Sequence, residues 1–379
     1  MLAPTRLVYA LRPHAPIGIL AAASAVQMLF GATPFLIPEV SGHFGVSEGL
    51  AAGISVAQVG AFAIANLVLS RWLAPTGKLL RWSAVVLVLA NVGSSLPGQF
   101  WMLILLRVVA GSAAGALTWV SWADAMRNPR SLVSVAAAGP VTALVSAPLL
   151  SALAGIGDQA VFLALAVAAV PAVLLRVDTR VTEKPTRSVS RSRSNRVLLV
   201  AMLLLTFFGS SVFVFVALAA RQTLGLSPFA ASFAYSLNAA AGLLGTRLAS
   251  RHRRPGWWLL TLGPAVVLAG GGSQVWMVFV GMAWWGFAFW MGVPGVLQML
   301  SARSIEPDER AGHAQAVMAL GRAAGPVLGG GLADAGAFAT LAVVAGVGSS
   351  AAGAIVIGVQ EGRDRLPPTD PRVVYHPDS

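Results

Sequence analysis

Cysteine is absent from the 379 residues, which excludes disulfide staples, thiolate metal sites and cysteine nucleophiles. Charge is scarce too: 11% of residues are Asp, Glu, Lys or Arg, against about 25% in soluble domains. The five histidines are scattered, with none at metal-ligand spacing. No Walker or metal motif occurs, and no nucleophile, general base and orienting residue fall together in the apolar runs, so neither an enzyme nor a bound cofactor is expected. Acids number 14 against 26 basic residues, a net charge of +12 that raises the question of nucleic acid.

What the chain has instead is apolar length. Hydrophobic residues make up 56% and the mean hydropathy is +0.76. A membrane helix needs about 20 mostly apolar residues, and twelve such runs follow one another, near 17–37, 50–69, 81–97, 99–123, 131–153, 158–175, 197–220, 228–249, 256–272, 274–300, 313–333 and 336–358. The first is too long for the apolar core of a cleavable signal. With the N-terminus inside, the cytoplasmic loops hold nearly all the basic residues, including the run from Arg176 to Arg196. The outer loops hold Glu39, Glu48, Asp158 and Asp334, with Arg221 their one basic residue. The positive charge therefore marks topology, and the arginine-serine stretch "RSVSRSRSNR" is expected to meet anionic lipid headgroups rather than nucleic acid.

These patterns give an all-α polytopic membrane protein of twelve helices with both termini cytoplasmic: a six-helix unit over 1–175, a basic linker over 176–196, a second unit over 197–359 and a tail over 360–379. A shift of 175 residues places Trp82 on Trp257, Gln99 on Gln274, Trp101 on Trp276, Met102 on Met277 and Gly111 on Gly286, which favours a duplicated unit. The same shift puts Arg107 on Met282, so a charge within the fourth apolar run belongs to one half alone. Twenty-four arginines against two lysines, with abundant Ala, Gly and Val, suggest a bacterium and hence its inner membrane.

Two stretches carry a family resemblance. "RVVAG" at 107–111 and "GRAAGPVLGG" at 321–330, with its Gly321, Gly325, Pro326, Gly329 and Gly330, resemble motifs of the major facilitator superfamily. The first is similar to the fourth-helix pattern of proton-coupled members. The second is similar to the antiporter motif, here on the eleventh helix, where it serves helix packing. The resemblance implies two six-helix bundles, alternating access, a monomer, and the proton motive force in place of any cofactor. The family's acid between helices two and three is missing. Ser70 and Arg71, with Ser250 and Arg251 in the second half, occupy its place, and Asp124 with Arg71, Lys78 or Arg127 is either a substitute cytoplasmic gate or an ordinary surface ion pair.

An arginine within a bilayer is costly and usually lines a substrate or proton route. Arg107 is therefore expected to face a central cavity. The resemblance implies that helices one, four, seven and ten line that cavity, with Gln27, Thr118, Trp119, Phe208, Asn238, Trp284, Trp285, Trp290 and Gln298 as further candidates. The packing alternative holds Arg107 by backbone carbonyls and a polar neighbour such as Gln27 or Gln58. Glu39 is the acid proposed beside Arg107 for proton coupling. Aromatic faces with few hydrogen-bonding groups suit a hydrophobic or aromatic small molecule. The expected activity is proton-coupled efflux of such a molecule, with uptake of an organic anion and lipid translocation as alternatives.

Overall fold

The computed structural model describes residues 15–96, 98–125, 129–175, 177, 193–249, 254–302 and 307–364. Among them every regular element is a helix, as a chain of this hydropathy requires, because lipid offers backbone N–H and C=O groups no partner outside the segment itself. The first half holds α1 (Ile17–Gly31), α2 (Thr33–Phe44), α3 (Glu48–Ala51), α4 (Gly53–Trp72), α5 (Gly77–Ser94), α6 (Phe100–Ala125), α7 (Pro129–Ala154) and α8 (Asp158–Leu174). The second holds α9 (Arg193–Phe213), α10 (Val216–Leu224), α11 (Pro228–Ala249), α12 (Pro255–Leu260), α13 (Leu262–Gly271), α14 (Val275–Ala302), α15 (Pro307–Asp334) and α16 (Phe338–Asp364). By length and composition seven helices among the described residues suffice to cross a membrane, and an eighth if the pair α1 and α2, bent by 50°, counts as one. The bend lies where Pro34 and Pro38 remove backbone donors from α2.

The two halves repeat the same packing. In the first, α4 lies on α6, α5 on α6 and α8, and α1 on α7 and α8. In the second, α11 lies on α14, α13 on α14 and α16, and α9 on α15 and α16. The correspondence reaches single residues. A Cβ on Gly111 of α6 would lie 2.0 Å from the carbonyl oxygen of Gln58 on α4, and one on Gly286 of α14 would lie 2.0 Å from that of Asn238 on α11. The matched tryptophans are boundary anchors: Trp82 and Trp257 are 68% and 47% exposed near one end of the bundle, and Trp101 and Trp276 are 67% and 54% exposed near the other.

Between the halves, α15 packs on α4 and α11 on α7, with α3 against α15 and α10 against α2. One end of the bundle gathers Glu39, Glu48, Asp158, Arg221 and Asp334 and is here termed the acidic end; the opposite one is the basic end. Two boundaries differ from the sequence reading. Helix α9 starts at Arg193, within the expected linker, and α16 runs to Asp364, beyond 359. At both places the polar residues lie past the apolar run, where water lets a helix continue.

Candidate functional site

Arg107 does not face a central cavity. Its side chain is 1% exposed and points inside the first half, toward α5 and α8. The guanidinium donates to Asn91 Oδ1 at 3.1 Å, to the Ala90 carbonyl at 3.3 Å, to Gln58 Oε1 at 3.4 Å and to Ser94 Oγ. It also lies over the Phe162 ring, 4.7 Å from the centroid. Two neighbouring helices, α4 and α5, thus supply acceptors and α8 an aromatic face for a buried cation, and this is the packing alternative with Gln58.

The aromatic candidates are also turned away from the centre. Phe208 fits against Gly348 of α16. Trp284 is 37% exposed in line with Trp276 and Val280 on the outer face of α14, and its indole N–H donates to Thr261 Oγ1 at 3.3 Å. Trp285 is buried edge-on to Phe213, with centroids 5.5 Å apart, and Trp290 covers Gly242 and Gly245 of α11. Trp119 is buried in the core, Asn238 donates to the Met282 carbonyl at 2.8 Å, and Gln298 is exposed on the Trp284 side of α14. For Phe208, Trp285 and Trp290 the physical reason is shared: glycines on adjoining helices leave hollows that large rings fill. Thr118 is half-buried on α6.

Gln27 is half-buried on α1. It lies on a stripe of half-buried residues along α1 with Leu20, Ser24 and Gly31, beside Gly139 of α7. Among the gate candidates, Lys78 is exposed and Asp124 half-buried, whereas Arg127, Ser250 and Arg251, and the side chains of Ser70 and Arg71, lie outside the described residues. The glycine run on α15 packs as expected of it. Added Cβ atoms at Gly321, Gly325 and Gly329 would meet Thr206, Ser210 and Ser211 of α9 at 2.1–2.2 Å.

The halves close on each other at the acidic end. Asp334 accepts from the Gly49 amide at 2.7 Å and from Ser47 Oγ at 2.8 Å, and Ser47 itself caps the helix that follows by accepting from Leu50 N. Gln222 donates to Glu48 across the same seam at 3.1 Å, and the α-carbons of Gly330 and Gly49 come close enough that neither tolerates a side chain. Deeper in, Phe35 meets Tyr235 with centroids 5.4 Å apart, and Ser236 donates to the Leu144 carbonyl at 2.8 Å. A cavity of about 330 Å³ remains between the halves at this end, lined by Pro34, Glu39, Ser151, Ala217, Arg221 and Phe229.

One residue escaped the sequence reading. Arg322 lies inside the glycine motif on α15, half-buried, with no hydrogen bond or ion pair among the described residues. The signal was present, a charge within the apolar run 313–333, but the glycines around it drew the interpretation to packing.

The sequence profile of the Major Facilitator Superfamily matches residues 19–330. The chain belongs to the Major Facilitator Superfamily. No curated protein matches it by sequence. Among solved structures, a bacterial homologue of the human lysosomal transporter Spinster, inward-facing and occupied, has a TM-score of 0.71 at 14% identity, over 93% of this chain and 98% of that one. Its inward-facing, unoccupied form scores 0.67 at 14% identity over the same shares. The human organic anion transporter MFSD10 (TETRAN) scores 0.62 at 15% identity, over 89% of this chain and 97% of that one. At such identities the likeness shows the fold.

In this superfamily member, then, the Arg-x-x-x-Gly stretch is a structural element: Arg107 ties α6 to α5 and α8 while Gly111 lets α6 touch α4. One inter-half contact that a single substitution can undo is that of Asp334. In an Asp334→Ala variant the two charge-assisted bonds are lost, and the acidic end is expected to open about 10- to 100-fold more often. Since the chain has no native thiol, Ala217→Cys in the cavity wall reports this as faster labelling by a membrane-impermeant maleimide. An unchanged labelling rate would show that the contact does not hold the halves shut.

Proposed function

We propose that the chain is a secondary transporter that exports a small molecule with a large apolar or aromatic surface across the cell membrane by alternating access, driven by proton entry. The observation that carries this reading is the uneven seam between the halves. Asp334, Gln222 and Gly330 close it at the acidic end, while Gln27 and Arg322 stay half-buried at mid-depth. The positive-inside rule makes the basic end cytoplasmic, so the closed end is the outer one. The inward-facing Spinster homologue is a transporter of the same fold, which supports the assignment. Rocking the halves about the seam would break the acidic-end contacts and expose the central face outward.

No acid of the sequence falls at mid-depth, so proton linkage is assigned to the outer closure. Glu39 lines the cavity there with Arg221 across the interface, and protonating Glu39 would remove an attraction that holds the halves together. The protein acts as a monomer, breaks no covalent bond, and meets anionic lipid through its basic loops.

In proteoliposomes, wild type is expected to move a fluorescent lipophilic probe against a pH gradient and to stop when the gradient is dissipated. Glu39→Gln is expected to keep exchange down the probe's own gradient and lose the pH dependence. Flux indifferent to pH in wild type would remove proton coupling, and no flux at all would remove the export reading.

A further inference from the structure

Resting on the transport reading above, we propose that Arg322 is an anion-binding residue, and that the molecule carried is an amphipathic organic monoanion, a carboxylate or sulfonate on an apolar body. The helical geometry of α15 aims Arg322. Gly321 and Gly325, one residue before and three after it, press on α9, and Ala323 meets Gly60 of α4. Leu320, Ala324, Val327 and Gly331 are exposed and mark the lipid face. At 100° per residue, Arg322 falls opposite that face, in the angle between α9 of its own half and α4 of the other. Its side chain is deep within the protein and still reached by solvent. That combination describes a crevice between the halves.

Depth can be read from the neighbours. Ala323 is level with Gly60, and the same part of α4 meets α1 where Gln58 donates to the Leu29 carbonyl and Phe62 meets Phe30 edge-on. Gln27 on the half-buried stripe of α1 is therefore at the depth of Arg322 to within about a turn.

The two intramembrane arginines differ in one decisive respect. Both terminal nitrogens of Arg107 donate to acceptors on α4 and α5, its guanidinium lies over the Phe162 ring of α8, and it is 1% exposed. Arg322 has no partner among the described residues, and the acids nearest it along the chain are Glu309 and Asp334, at opposite ends of α15. The chain thus holds an uncompensated guanidinium at mid-membrane, open to water. A planar fork of donors matches a carboxylate or sulfonate. An anion seated there would also touch the seam itself, so its arrival and departure would bear on the closing of the halves.

The test uses full-length protein in nanodiscs with two probes of one shape, 1-pyrenesulfonate and the uncharged 1-pyrenesulfonamide. Wild type is expected to prefer the sulfonate by roughly 10- to 100-fold, as a charge-assisted contact provides. Arg322→Gln is expected to lose that preference while binding the sulfonamide as before, and Arg322→Lys to retain part of it; size-exclusion profiles and melting confirm that each is folded. Equal binding of both probes by wild type, or a preference that survives Arg322→Gln, overturns the proposal. Chloride that displaces the sulfonate, joined to chloride flux without sulfonate flux in proteoliposomes, overturns it in favour of an inorganic anion. Arg322-dependent sulfonate binding without any flux would leave the site standing and sink the transport reading; gradient-driven flux of neutral probes, indifferent to Arg322→Gln, would do the reverse.

Discussion

Valine at Gly111 or at Gly286 is expected to leave almost no folded protein. At each position an added Cβ would lie 2.0 Å from a backbone carbonyl oxygen, of Gln58 on α4 or of Asn238 on α11, where no side chain can rotate out of the way. Relief requires two long helices to separate by more than an ångström, which abandons close packing along their whole contact; helix association in membranes depends on that packing because lipid supplies no hydrophobic drive between helices. The cost is expected to exceed about 3 kcal/mol for either substitution, beyond the usual range for overpacking. Even alanine at Gly286 should lower the melting temperature clearly, and it also disturbs the Asn238 carboxamide bonded to the Met282 carbonyl. Gly331→Ala is the control: it is a helical glycine of α15 with nothing within 4 Å of its added Cβ, so its melting should match wild type. Fluorescence-detected size exclusion after a heating series measures all of these. A Gly286→Ala protein that melts like wild type would show that the helices do not touch as described.

That pair of glycines also shows what the sequence makes legible. The offset of 175 rests on tryptophans, Gln99 with Gln274, and Gly111 with Gly286, and each is held in place by a physical demand that both halves share: a boundary anchor or a helix crossing. Charge sorting and apolar runs likewise give the helical architecture without any knowledge of contacts. Direction is a different matter. Trp284 and Trp285 are neighbours about 100° apart on one helix, so one faces outward and the other faces α9, and the sequence cannot say which. The partners of Arg107 come from Gln58, Asn91 and Ser94, spread over two other helices, and no local pattern joins them to it. Asp334 has the appearance of a helix end, and indeed terminates α15; its bonds to Ser47 and Gly49, more than 280 residues earlier, exist only because the halves meet there. Arg322 was readable as a charge without a nearby acid, but only the lipid face of α15 shows that it looks inward.

Arg107→Met is expected to destabilise the protein without altering what it carries. Methionine is what the second half holds at the equivalent position, Met282, which is fully buried, so volume is not the difficulty. The loss comes from what the guanidinium leaves behind. Asn91 and Ser94 face a closed interior at 1% exposure each, and Gln58 at 3%. Orphaned polar groups of this kind cost about 1–3 kcal/mol apiece in soluble proteins and somewhat less in membranes, giving about 2–4 kcal/mol in total. The second half also shows how the loss is recovered. The offset that pairs Arg107 with Met282 pairs Asn91 with Val266 and Ser94 with Ala269, both buried and apolar. The triple variant Arg107→Met, Asn91→Val, Ser94→Ala copies that solution, and its stability is expected to return to within about 1 kcal/mol of wild type, because donor and two side-chain acceptors go together and only the long contact to Gln58 Oε1 is left unmade. Thermal melting of the single and triple variants, with probe flux for each, separates the two roles an intramembrane arginine can have. If the triple variant melts as low as the single one, the polar cluster is not the source of the loss. If Arg107→Met melts normally but loses flux, Arg107 belongs to the transport cycle after all, and a state other than this one must bring it to the centre.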